Sequence, residues 1–164
     1  MTMMDLCVAR VVIGNEMAAV EGWAARSGWE VRIDTDNAVE GPALQARTVH
    51  PVTGAPIVFH AALQDYPVLP PTWTCRDADG VVTAAAFPRA GTRPGLSGSI
   101  FHDALLICAP WNRLAYGAHG GPHGDWTDLT AWKTVGGGVT QAHTLADMLA
   151  SIAVHLSASP GTVA

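Results

Sequence analysis

The alternation of apolar and polar positions divides the chain into a small number of elements. Over residues 15–26, Met17, Val20 and Trp23 with Ala24 recur at helical spacing and Ser27-Gly28 supplies a stop, which predicts an amphipathic first helix. Residues 29–33 then read as a short strand, ended by the turn formers of 34–41. Two more strands, 44–49 and 57–63, flank a Pro/Gly-rich connection from His50 to Pro56 that suits an antiparallel hairpin. A fourth strand is predicted over 73–76. Before it stands Tyr66-Pro67-Val68-Leu69-Pro70-Pro71, whose three prolines remove backbone donors and fix φ, so this segment must be a rigid crossing outside any ladder.

Residues 77–99 are rich in Gly, Pro and Ala and are expected to be mostly loop, with an apolar patch at 81–87. Apolar character returns over 99–108. Glycines are so frequent in 112–138 that a long, mostly irregular surface excursion is predicted. The last element is the most regular: Leu145, Leu149, Ile152 and Leu156 repeat at helical intervals behind Thr144, a candidate cap, with Asp147 in the first turn. This helix should end near Ser157, before Pro160-Gly161. No internal repeat or linker divides the chain, so residues 1–164 are expected to form a single α+β domain: an N-terminal helix, a four-stranded antiparallel meander, a long irregular region and a C-terminal helix.

Composition narrows the function classes. With 164 residues and 49% hydrophobic content the chain can bury a core that needs no staple. A net charge of -5, with nine scattered Lys and Arg, offers no field for a phosphate backbone, so nucleic acid is not an expected partner. Cys7, Cys75 and Cys108 are an odd number at wide spacing, which suits a reducing, cytoplasmic setting better than a disulfide framework. Residues 1–9 lack the features of a secretory signal, and the apolar run 145–156 is too short to cross a bilayer of about 30 Å.

The order of parts resembles the ubiquitin-conjugating-enzyme superfamily. Tyr66-Pro67, Pro70 and Pro71 match its Tyr-Pro-x-x-Pro-Pro motif, Ile107-Cys108 matches the Ile-Cys before its active-site turn, and 144–156 matches the helix that crosses behind its sheet. Trp126 or Trp132 is a candidate for the family's tryptophan after the cysteine. The resemblance spans roughly residues 15–160 as sparse anchors. Departures are equally specific: the His-Pro-Asn tripeptide is absent, with only Phe101-His102-Asp103 in its neighbourhood, and the glycine-rich insertion 112–138 separates Cys108 from the closing helix. These features look more like bacterial members found with ubiquitin-like proteins and activating enzymes, some in antiphage operons. The resemblance implies an activating enzyme and a ubiquitin-like modifier as partners, with an accessory subunit a further candidate.

It also implies that Cys108 carries the modifier as a thioester. A thiolate is both nucleophile and leaving group, and sulfur reacts well enough without strong activation. Aminolysis places charge on the carbonyl oxygen, where one positioned donor is worth about 10²–10³ in rate. His102 is the candidate donor, and Asp103 the candidate for orienting or deprotonating the incoming amine. The alternatives are plain ones: a buried, inert thiol at Cys108, a loop-holding histidine at His102, and a non-catalytic member of the fold that binds a modifier. Ala109-Pro110-Trp111-Asn112 leaves the strand at once and is expected to expose the Cys108 thiol, while Cys7 and Cys75 read as packing residues. Trp111, Trp126 and Trp132 are core or partner anchors, with two of the three expected in the core. His119 and His123, with Asp125 or His143, have spacing that zinc ligands can have, but Gly121-Pro122 between them rules out a shared helical face. Gly136-Gly137-Gly138 lacks the setting of a phosphate loop and reads as a hinge. No metal and no cofactor are expected.

Overall fold

Two rows of apolar side chains run across one face of a sheet and explain where the core lies. The computed structural model describes residues 6–136 and 140–164. Its sheet has strand order β1 (Glu30–Asp34), β2 (Ala43–Val49), β3 (Pro56–Ala62) and β4 (Thr72–Arg76), each antiparallel to the next. The register aligns Val31, Ala46, Phe59 and Cys75 in one row and Ile33, Leu44, Ala61 and Trp73 in the other. Because side chains alternate along a strand, both rows face the same side. Arg32, Gln45, His60 and Thr74 form a polar row on the other. Fully burying a large apolar side chain contributes about 1.5–3 kcal/mol, so a one-residue slip that turned these rows outward would cost most of the sheet's stabilisation.

Two helices contribute to the core cluster formed by these rows. The first, α1 (Leu6–Ser27), begins well before the predicted 15–26. Its buried stripe is Ala9, Ile13 and Val20 with half-buried Glu16 and Trp23. Exposed Val8 and Val11 and a small or charged residue within the stripe blur the period that a sequence pattern detects. Cys7 lies on this helix and is exposed, so it is not the packing residue expected; Cys75 is buried. The second helix, α2 (Leu145–Ala158), buries Leu145, Met148, Leu149, Ile152 and Leu156, and the Thr144 hydroxyl caps it by accepting from the Asp147 N–H.

Between β4 and α2, residues 77–99 hold no strand or helix, as expected, and of the 81–87 patch only Ala86 and Phe87 are buried. A two-residue hairpin follows, β5 (Phe101–His102) paired with β6 (Leu106–Ile107). The 112–138 segment is irregular, as expected, with 3₁₀ turns at Arg113–Ala115, Gly117–His119 and Leu129–Ala131, and most of its described residues are exposed or half-buried. The excursion is nevertheless anchored, because Asn112, Ala115, Tyr116 and Trp132 are among the most buried residues of the chain. Of the expected hinge, Gly137 and Gly138 lie outside the described residues, as do residues 1–5. Among the described residues no helix is long and apolar enough to cross a membrane.

Candidate active site around Cys108

Cys108 follows β6 directly, and its backbone N–H donates to the Ile100 carbonyl at 2.7 Å, which fixes the residue at the hairpin's edge. The chain then turns, with the Asn112 N–H bonding the Ala109 carbonyl at 3.0 Å. All four residues of this turn, Ala109 to Asn112, are buried. The turn therefore packs inward rather than lifting the thiol into solvent, and Cys108 ends half-buried. Burial pushes its pKa above the ordinary 9.0, because a thiolate is poorly solvated there.

Two side chains hold the turn. The Asn112 amide makes four bonds: Oδ1 accepts from the N–H groups of Trp73 at 2.9 Å and Leu114 at 3.3 Å, while Nδ2 donates to the carbonyls of Ile107 at 2.7 Å and Trp73 at 3.2 Å. It thus stands in for a strand beside β4, at a place where no backbone is available to complete the ladder. Arg113 reaches the Tyr-Pro crossing. Its Nε and Nη2 donate to the Pro70 carbonyl at 3.1 and 3.0 Å, Nη2 also to the Gln64 carbonyl at 2.7 Å, and its N–H to the Pro71 carbonyl at 3.0 Å. From the other side, Trp132 donates its indole N–H to the Pro67 carbonyl at 3.0 Å.

The partner of the Cys108 sulfur is His123, whose Nε2 lies 3.0 Å from Sγ. The imidazole stacks face to face on Trp126, with ring centroids 3.6 Å apart and planes 4° from parallel. Trp126 in turn packs against Tyr116, whose hydroxyl donates to the Pro110 carbonyl at 2.7 Å. The loop that carries His123 is closed by a short parallel bridge: the His123 N–H donates to Ala115 and the Gly117 N–H to His123. Gly121 allows this closure, since a Cβ there would lie 2.3 Å from the Ala115 carbonyl oxygen. Asp125 Oδ1 stands 3.6 Å from His123 Nδ1, too long for a hydrogen bond but close enough for an ion pair once the imidazole is protonated.

The expected site residues are placed as follows. His102 lies on β5 opposite Leu106, and Asp103 in the hairpin turn; both are exposed. Neither has a hydrogen bond or ion pair to Cys108 among the described residues, and the thiol's bond goes to His123. His119, Asp125 and His143 are all exposed, and among the described residues no group of three or more metal-ligating side chains is arranged to hold an ion. Trp111 and Trp132 are core residues, while Trp126 is half-buried. Sequence reasoning weighed His123 only as a metal ligand and overlooked Asn112 and Arg113. The available signal was the cluster Gly117, Gly120, Gly121 and Gly124 around a single proline, which marks a loop folded tightly on itself.

No protein-family model matches the chain, and neither a curated protein nor a solved structure matches it. Fold and site together define an α+β domain, with an N-terminal helix, a four-stranded antiparallel sheet and a C-terminal helix, that holds a half-buried cysteine against a histidine.

Proposed function

We propose that this chain is a ubiquitin-conjugating-like transferase in which Cys108 receives a ubiquitin-like modifier from an activating enzyme as a thioester and passes it to an acceptor. The observation that carries the reading is the joining of two motifs remote in sequence. Arg113, just beyond the Cys108 turn, bonds to the Gln64, Pro70 and Pro71 carbonyls, and Trp132 bonds to Pro67. The Tyr-Pro-x-x-Pro-Pro crossing and the Ile-Cys turn, which carry the resemblance, are thus two walls of one structure. Cys108 at its edge is half-buried, so part of the residue reaches solvent. His102 and Asp103, on the adjacent hairpin, remain the proposed groups for stabilising the oxyanion and for orienting the incoming nucleophile. Such a thiol chemistry belongs in the cytoplasm, where cysteines stay reduced.

The test mixes the protein with its activating enzyme, the modifier and ATP. A thiol-sensitive adduct on a non-reducing gel, absent in Cys108→Ala, is the expected result; with a competent activating enzyme, no adduct would overturn the reading. A second reading, a binding-only member of the same fold, draws on Asn112. The asparagine nearest the thiol is buried and its amide is fully engaged in backbone bonds, so it is unavailable to a developing oxyanion. Modifier binding that survives Cys108→Ala, with no adduct in the parent protein, would favour that alternative.

A further inference from the structure

Acyl transfer through Cys108 requires that a proton leave a nucleophile twice: the thiol when the thioester forms and the acceptor when it is consumed. A thiol whose burial opposes ionisation, as at Cys108, needs a base at hand. The nearest polar side-chain atom bonded to its sulfur is His123 Nε2, at 3.0 Å. Stacking on Trp126 fixes the plane of the ring, and the bridge to Tyr116 and the close approach at Gly121 fix the backbone beneath it. With its proton on Nδ1, on the side of Asp125, the imidazole presents a lone pair to the thiol.

We propose that His123 is the general base of both half-reactions at Cys108, an inference that rests on the acyl-carrier reading above. In the first, the Cys108 proton moves to Nε2 while Sγ attacks the carbonyl of the incoming thioester. The new S–C bond forms, the donor's C–S bond breaks, and the departing thiolate takes the proton from the imidazolium. In the second, Nε2 takes a proton from the acceptor as its nitrogen or oxygen attacks the Cys108 thioester. The C–S bond breaks and the proton returns to Sγ, which restores the starting state. Asp125 is a positioning residue that favours the transient imidazolium, and its exposure limits its effect. Tyr116, which packs on Trp126, has its phenol pushed up to about 12 by burial and by Asp128, and Asp128 is held below the usual carboxylate range by Thr130. Tyr116 stays neutral and Asp128 stays ionised around neutral pH.

The test needs no partner protein. In a Cys7→Ser background, with Cys75 buried, iodoacetamide reports on Cys108. Neutral-pH alkylation is expected to fall about tenfold or more in His123→Gln, and to converge with the parent at alkaline pH once the thiol ionises unaided. A merely structural His123 predicts the reverse, because its removal uncovers the sulfur and speeds alkylation at every pH. Cys108 acetylated by a small acetyl thioester is expected to discharge to glycinamide about 10²-fold more slowly in His123→Gln than in the parent. His119→Gln, at an exposed histidine of the same loop, should retain both rates, and a parent-like melting transition in His123→Gln guards against a simple folding defect. Equal or faster alkylation together with an unchanged discharge rate in folded His123→Gln would overturn the role of His123. A missing adduct with the activating enzyme overturns the carrier reading instead, so the two failures are distinct.

Discussion

The Glu16 carboxylate accepts a 2.6 Å hydrogen bond from the Tyr66 hydroxyl. Its second oxygen accepts from the Leu145 N–H at 2.7 Å, the first residue of α2. One side chain on α1 therefore ties the Tyr-Pro crossing to the start of the C-terminal helix, where a negative charge is favoured by the helix dipole. Burial and the Glu16 carboxylate push the Tyr66 phenol well above its ordinary 10.0, so it donates throughout the neutral range. Glu16→Ala is expected to cost about 2–3 kcal/mol and Tyr66→Phe about 1 kcal/mol. The double variant should lose less than the sum, since both remove the same bond. Strictly additive losses in urea unfolding would show that the pair carries no coupling energy.

Asn112 offers the sharpest test of the turn. Replacing it by Ala leaves the Trp73 N–H and C=O and the Ile107 carbonyl buried without partners, and should destabilise the protein by about 3 kcal/mol or more. The Cys108 turn loses its anchor at the same time, so alkylation of the thiol should accelerate well below the melting transition. Urea titration and iodoacetamide kinetics on one sample check both effects, and a loss under about 1 kcal/mol contradicts the strand-substitute role.

Gly121→Ala probes the loop that aims His123. Its new methyl group would meet the Leu114 and Ala115 backbone at 2.2–2.4 Å, so the loop must move and take the imidazole away from the sulfur. A global loss of about 1–3 kcal/mol is expected, with an alkylation profile against pH like that of His123→Gln. A parent-like profile would mean that the loop absorbs the methyl group without moving the ring.

His155 predicts a pH dependence of stability. It is 1% exposed, neither ring nitrogen has a hydrogen-bond partner among the described residues, and it packs edge-on against Phe101. Burial lowers its pKa below 6.5, so below that value the unfolded chain binds the proton more readily than the folded one. Its effect on stability is nil above pH 6.5 and becomes a cost as pH falls from 6.5 towards the folded-state value. Burial lowers His50 in the same direction, and its Nδ1 accepts from the Val52 and Thr53 N–H groups. His155→Leu should therefore gain on the parent by a few degrees of Tm between about pH 7.5 and about pH 5. A constant difference across that range would show that His155 does not titrate there.

Much of the architecture was legible in local pattern. The strands and α2 show their periods openly, because each of these elements has one apolar face and a regular partner. The front of α1 was missed because Ala9 and Glu16 occupy its buried stripe while Val8 and Val11 face solvent. The exit turn after Cys108 was misjudged for a related reason: a Pro-Trp-Asn sequence reads as a departure from the core, yet here tryptophan and asparagine are carried into it. The 112–138 segment is the irregular, largely exposed stretch its glycines suggest, but its buried anchors Asn112, Ala115 and Tyr116 were not foreseen, since glycine content reports backbone freedom and says nothing of which neighbours are held in the core.

By itself, the sequence determined the meander and the closing helix, which follow from short-range spacing, while Cys108 became the residue to watch only through the resemblance carried by Tyr66–Pro71 and Ile107-Cys108. Only tertiary structure decided that His123, rather than His102, meets the thiol, and that Asn112 and Arg113 bind the turn to β4 and to the prolines. Cys108 and His123 stand 15 positions apart along irregular chain, and no period relates them. Their contact arises from close backbone packing at Gly121 and an aromatic stack, long-range features that a linear pattern does not encode.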